Sequence, residues 1–337
     1  MEAADFLQMS TRTLRHWRQH FRVTALPLHA LGRPVLRSSR QQRNEVIDLL
    51  RLLGPHTSLA TLRGCFADIP RAELDNLLAR YRRVWRQRYQ EAGHVLHWTT
   101  PGAVWAIDFT EAPQAIDGVY PYLLAVRELA SGAALLWQPL AEATAARTCE
   151  ALAYLFALHG APLVLKMDNG CTFCAGATLA LLQQAEVVAL FSPPYVPRYN
   201  GSIEAGIGAL KARTEAEAAR QGRAGWWSLE DAAAAREQAN AMARPRGPSG
   251  PTPEEAWRQR QPVTATMRAL FAAALRKHRG EARKEEGHRE EENLEEQEAR
   301  RIDRKAISRT LVECGYLQYR RRRIHLPIRG RKAATIT

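Results

Sequence analysis

Cysteine is scarce: Cys65, Cys149, Cys171, Cys174 and Cys314 are the five in 337 residues. So odd and irregular a set excludes a disulfide-stapled scaffold and predicts reduced thiols. Cys171 and Cys174 have zinc-ligand spacing but no second Cys or His pair beside them, and His16 with His20 has only Cys65 anywhere near in sequence. A zinc module is therefore not expected. No apolar run approaches the length that spans a bilayer, and the opening "EAADFLQMS" has no signal-peptide character. There is no P-loop for ATP and no nucleophile elbow for Ser-His-Asp chemistry. The expectation is a soluble, cytoplasmic, nucleoid-associated protein with no membrane partner.

What is present is basic charge, unevenly placed. The formal net charge is +13, with 46% of residues hydrophobic, enough for a sizeable core. Residues 1–98 carry 16 Lys and Arg against 8 Asp and Glu, net +8; residues 99–212 carry 5 against 9, net −4; residues 213–337 carry 27 against 18, net +9. A preference for arginine over lysine can follow from genome composition, but a change of sign along the chain does not. Basic flanks around an acidic centre predict flanks that hold a polyanion and a centre that holds cations.

The N-terminal flank reads as all-α. Residues 3–22 give two short helices broken near Ser10, a capping residue, with Leu14 and Trp17 expected inward and Arg12, Arg15 and Arg18 outward. That is the pattern of a helix-turn-helix (1–22) whose second helix enters a major groove, and equally of a plain helical hairpin. A basic linker (23–40) precedes a second three-helix unit (41–92). Its first helices place Val46, Leu49, Leu50 and Leu53 on one face and Leu59, Leu62 and Phe66 on another. Its last carries Leu74, Leu77, Leu78, Tyr81, Val84 and Trp85 with a basic face at Arg80, Arg82, Arg83, Arg86 and Arg88. Two such units in series favour DNA binding.

From residue 99 the texture changes to apolar, aromatic-rich runs between turn signals. Strands are expected at "AVWAIDFTEA", "YPYLLAVREL" and "AALLWQPL", a helix at 144–160, a buried strand "APLVLKMDNG" ending at Asp168, a helix, a strand "VVALFSPP", and a helix opening on Glu204. This order, β-β-β-α-β-α-β-α, predicts an α/β core with a mixed five-stranded sheet. Residues 226–260 read as a helix, a Pro/Gly turn and a capped short helix. Residues 276–305 read as one long solvated helix, and Arg320, Arg321, Arg322 and Arg323 as a basic hairpin, wing or tail.

Asp108 lies within the first core strand among residues expected to be buried, where a carboxylate must be hydrogen-bonded, paired or metal-bound. Asp168 ends the fourth strand, at the crevice side of an α/β sheet. If the first and fourth strands are neighbours and the last helix packs across their ends, Asp108, Asp168 and Glu204 converge. Three carboxylates repel one another unless cations lie between them, and oxygen ligands without His or Cys select Mg²⁺ or Mn²⁺. Two such ions roughly 4 Å apart suit in-line phosphoryl displacement.

On these residues the segment 99–214 resembles the catalytic core of the DDE transposase and retroviral integrase superfamily, which has the ribonuclease H-like fold. The matching motifs are Asp108 in "WAIDFT", Asp168 in "KMDNG" and Glu204 in "YNGSIEAGIGALK", with 59 residues between the first two and 35 between the last two, the family's characteristic second spacing. Lys211 matches a lysine that in the family lies beside substrate DNA. The stretch "ARPRGPSGPTPEEAWRQR" resembles the segment after the core in bacterial insertion-sequence transposases. The sequence departs from the family pattern at "NGCTFCAG" and "VPRYNG", and neither departure removes a carboxylate.

The resemblance covers roughly residues 1–260. It implies a core over 99–222 and a post-core helical segment over 223–260; residues 261–337 lie beyond it and read from their composition as a charged helical and basic region. It implies a metal-dependent enzyme that binds double-stranded element ends and target DNA, acts as a homo-oligomer on DNA, and cuts and joins strands. DNA contacts are expected at Arg12, Arg15, Arg18, Lys211 and Arg320 to Arg323. An inactive DNA-binding relative and a ribonuclease H-like nuclease are the alternatives.

Overall fold

The computed structural model describes residues 9–24, 37–194, 196–289 and 293–325. The chain divides into two compact units, one of Met1–Ala92 with Arg323–Thr337, the other Gly93–Arg322. Expectations for the first helix of residues 1–22, most of the 23–40 linker and the tail beyond 325 lie outside the described residues, as do the side chains of Arg322 and Arg323.

In the first unit, helix α1 (Thr11–Thr24) begins where the Ser10 hydroxyl accepts the Thr13 backbone N–H at 3.1 Å. Arg12, Arg15 and Arg18 are exposed, as expected, and Leu14 is half-buried. Trp17 is not inward: 58% of it is exposed, because among the described residues nothing closes over its ring. Helices α2 (Arg40–Leu53), α3 (Leu59–Cys65) and α4 (Arg71–Arg88) enclose Val46, Leu50, Leu62, Ile69, Leu74 and Leu78. Ser39 and Ser58 cap α2 and α3 through their hydroxyls. Arg82 departs from the expected basic face. It donates to the carbonyls of Pro55 and Thr57, both at 3.0 Å, and ties α4 to the turn after α2.

The second unit is built on a mixed sheet in the order β4-β3-β2-β5-β6. Its strands are β2 (Val104–Ile116), β3 (Tyr120–Glu128), β4 (Ala134–Leu140), β5 (Val164–Met167) and β6 (Val188–Phe191); β1 (Gln90–Trp98) pairs separately with β7 (Leu317–His325). β3 runs antiparallel to β2 and β4, while β5 runs parallel to β2 and β6. The parallel pairs are made by crossovers through α5 (Ala145–His159) and through the short α6 (Cys171–Cys174) with α7 (Gly176–Gln184). α5 and α7 cover one face, over Trp105, Ile107, Leu124, Val126 and Leu165. α8 (Gly201–Arg220) covers the other, setting Ile203, Ile207 and Leu210 against Val104, Ala106 and Ala125. α9 (Leu229–Met242) packs beside α8, and α10 (Pro253–Arg258), capped by Thr252, follows the Pro/Gly turn. Fold class and strand order are as the sequence predicts.

The charged stretch is not one solvated helix. It belongs to an antiparallel pair, α11 (Ala265–Glu285) and α12 (Glu296–Glu313). α11 stops because Gly287 takes φ +82°, which lets the His288 N–H reach the Arg283 carbonyl at 3.0 Å. Nor is the pair solvated all round, since Phe271, Leu275, Ala306, Ile307 and Leu311 enter the core on the α8 face.

Candidate active site

Ala106 on β2 is level with Lys166 on β5. Continuing that register by two residues sets Asp108 level with Asp168, the first residue past the end of β5. Both then lie on the α8 face, where Glu204 stands exposed in the first turn of α8. Burial pushes the Asp108 carboxyl up to about 6, and the negative charges of Asp168 and Glu204 push it the same way against a backbone hydrogen bond at Phe109. The charges of Asp168 and Glu204 thus bear on the Asp108 carboxyl. Among the described residues, no three His, Cys, Asp or Glu side chains stand close enough together to hold a metal ion.

The Asp168 loop is held by its own backbone. Asp168 Oδ1 accepts the Gly170 N–H at 2.8 Å, and a Cβ on Gly170 would lie 2.9 Å from that oxygen. Asn169 Nδ2 donates to the Ser192 carbonyl at 2.8 Å. The Ser192 hydroxyl reaches the Met167 carbonyl at 3.1 Å and Asn200 Oδ1 at 2.6 Å. Asn200 is the residue before α8, so Ser192 ties the end of β5, and with it Asp168, to the start of the helix that carries Glu204.

Two cations that sequence reading did not single out, Lys166 buried and Arg127 half-buried, hold the turn before α8 and its first residues. Lys166 donates to the Tyr199 carbonyl and lies 4.2 Å from the centre of the Tyr199 ring; burial lowers its ammonium to about 8, partly offset by the charge of Glu204. Arg127 on β3 donates to the Ser202 carbonyl at 2.8 Å. Burial also lowers its pKa, with the charge of Glu128 acting the other way. A Cβ on Gly206 would lie 2.6 Å from Arg127 Nη1, so α8 approaches this closely because that residue has no side chain. The available signal was alternation: Lys166 and Arg127 fall on inward positions of strands, where an unpartnered charge is unfavourable.

The remaining candidates lie apart from these contacts. Lys211 is half-buried on α8, seven residues beyond Glu204. Arg320 and Arg321 are exposed on β7, and Arg12, Arg15 and Arg18 belong to the first unit. All five cysteines are free thiols.

Residues 99–197 match the model of the integrase core domain. The match bears out, for that stretch, the resemblance to the DDE transposase and retroviral integrase superfamily, and it supports a DNA-processing role of the transposase or integrase type. Asp108 and Asp168 fall within the matched residues and Glu204 just beyond them. A comparison with curated proteins found no match. Among solved structures, the catalytic core domain of BIV integrase is 24% identical, covering 47% of this chain and 95% of that one at a TM-score of 0.39. The simian T-cell lymphotropic virus intasome in complex with PP2A regulatory subunit B56 gamma is 16% identical over 64% of this chain and 75% of that one, TM-score 0.44. The HTLV-2 integrase catalytic core domain in complex with magnesium is 19% identical over 47% and 97%, TM-score 0.38. At these scores the likenesses add nothing to the strand order and the family match.

Proposed function

We propose that this chain is a DNA transposase or integrase in which Asp108, Asp168 and Glu204 form the catalytic acid cluster. The observation that carries this reading is the integrase core match over residues 99–197, within which the β2–β5 register sets Asp108 level with Asp168; burial and the charges of the other two acids raise the Asp108 carboxyl in keeping with it. A cluster with surplus negative charge and only oxygen donors fits a hard divalent cation. Asp108, Asp168 and Glu204, which do not close around an ion in this structure, would draw together to hold Mg²⁺ or Mn²⁺, two ions in the full site. Bound there, they supply activation of the attacking oxygen and stabilisation of the leaving oxygen.

The chain's own residues have separable tasks. The sheet sets Asp108 and Asp168 level, and the Ser192–Asn200 hydrogen bond brings the start of α8 to them. In the reaction, water or a DNA 3′-hydroxyl attacks phosphorus in line, one P–O bond forms, and the bond to the departing 3′ oxygen breaks. The helices of the first unit, read as helix-turn-helix modules, bind element ends through Arg12, Arg15 and Arg18. Lys211 and Arg320 to Arg323 lie on DNA phosphates or at the reactive end. Work on two ends and a target implies a homo-oligomer on double-stranded DNA, in the cytoplasm with the nucleoid.

The test is replacement of each acid by its amide. Asp108→Asn, Asp168→Asn and Glu204→Gln are each expected to lower cleavage and joining by a factor on the order of 10³ or more, since members of a catalytic unit fail together. DNA binding should persist in all three. Near-normal strand transfer by any variant removes that residue from the cluster.

A further inference from the structure

A cleft of about 460 Å³ opens beside the acid cluster, between Asn169, Pro194 and the N-terminal half of α12. Its basic side is Arg300, Arg301 and Arg304, and its acidic side includes Glu296 and Glu298. Arg300 is fixed at the inner end: its Nη1 donates to Asn169 Oδ1 at 2.7 Å, and its guanidinium lies 4.2 Å from the centre of the Phe191 ring. Asn169 is the residue after Asp168, so this guanidinium stands one residue from a proposed catalytic acid.

Arg300 also forms an ion pair with Glu296, and Arg301 pairs with Glu286 at 2.7 Å. Arg304, one turn further along α12, has no carboxylate ion pair among the described residues. It is half-buried near Tyr199. Burial lowers its pKa, Tyr199 opposes that, the charges of Arg300 and Arg301 lower it further, and Asp303 raises it. The helix presenting them is anchored on its other side by Ala306, Ile307 and Leu311 in the core. Arg304, with no carboxylate of its own among the described residues and Arg300 one turn away, suits phosphodiester oxygens, which guanidinium donors meet in pairs.

We propose that Arg300 and Arg304 of α12 form a phosphate-binding wall along which the backbone of a DNA strand enters the acid cluster. The proposal rests on the DNA-processing reading above. It gives the charged C-terminal helix pair a role in holding substrate DNA rather than in bulk solubility.

Arg304→Gln is the informative variant, because Arg304 makes no ion pair among the described residues whose loss would disturb the fold. On the full-length protein, affinity for a random-sequence DNA duplex is measured across a salt series, with joining rates alongside. Neutralising one phosphate fewer lowers the log–log salt slope by about 0.9. Arg304→Gln should show that fall and a raised KM for DNA, and Arg304→Lys should restore both in part. Glu298→Lys, which adds a cation to the same cleft, should steepen the slope by a similar amount. Wild-type slopes in both Arg304→Gln and Glu298→Lys would overturn the wall. If Glu204→Gln abolishes joining while those slopes stay unchanged, only the wall falls. A wild-type protein that binds no DNA at any salt concentration would sink both the wall and the reading beneath it.

Discussion

Gly170 and Gly206 are each defined by what a methyl group would strike. In Gly170→Ala the new carbon meets the Asp168 carboxylate, so the loop must shift. Joining should fall by on the order of 10²-fold, as for a misplaced reacting group, while duplex binding stays unchanged. In Gly206→Ala the carbon meets Arg127, which is half-buried and already committed to the Ser202 carbonyl. Overpacking there should destabilise the second unit by about 1–3 kcal/mol, read from the denaturant midpoint, and lower joining as well. Arg127→Ala, which removes Cδ together with the guanidinium, should recover part of the stability lost in Gly206→Ala when the two are combined, since Nη1 at 2.6 Å and Cδ at 2.9 Å are both in the way. Metal choice is also decided by individual side chains: three carboxylates predict activity that requires Mg²⁺ or Mn²⁺ and survives zinc-selective chelation. Activity that disappears on removing zinc alone would turn attention to Cys171 and Cys174.

At the scale of elements, the α11–α12 pair is held by charge as much as by its apolar seam. Glu285 accepts from both Nη atoms of Arg309, at 2.8 and 2.9 Å, and pairs with Lys305 at 2.6 Å. Arg279 pairs with Asp303 at 2.7 Å, and His278 lies between Glu281 and Glu313 at 2.8 Å from each. The hydrogen bonds from Arg309 and Lys305 hold the Glu285 carboxyl down at about 2. A depressed folded-state pKa contributes stability above the unfolded value, near 4.5, that disappears as pH falls toward 2. The protection factors of the α12 amides, exchange rates corrected for their own pH dependence, should therefore fall across that window in wild type. Glu285→Gln should show faster exchange at neutral pH and a flatter response to acid. An identical pH response in the two proteins would assign the acid sensitivity to other pairs.

For the whole molecule, the basic flanks on either side of an acidic core predict two kinds of DNA contact with different signatures. Changing Arg12, Arg15 and Arg18 to Gln should erode the preference for element ends over scrambled duplex, by about 1–3 kcal/mol for each guanidinium removed from a base edge. Changing Arg320 to Arg323 should weaken both duplexes alike and flatten the salt dependence. The readout is a pair of binding isotherms over a salt series. Equal weakening of both duplexes by the first set would move specificity to α2, α3 and α4.

The order of strands and helices in the core, the places of Asp108 and Asp168 within it, and Glu204 at the head of α8 could all be read from the chain. Each depends on local patterns: alternation along β2, the turn signal "NGC" after Asp168, and helical spacing of Ile203, Ile207 and Leu210. The sign change in charge was legible too, because it is a property of composition. Contacts between side chains and distant backbone were not. Lys166 finds the Tyr199 carbonyl and Arg127 the Ser202 carbonyl only once α8 lies across the sheet, and any carbonyl serves as acceptor, so no residue type announces the pairing. The run at 276–305 looked solvated because its own buried residues are few, His278, Ala282 and Ile302, and the apolar row that seats the pair, Phe271, Leu275, Ala306, Ile307 and Leu311, flanks it on either side. Arg300 reaches Asn169 from 131 residues away for the same reason. Periodicity records which way a side chain faces, and only the packed structure supplies what it faces.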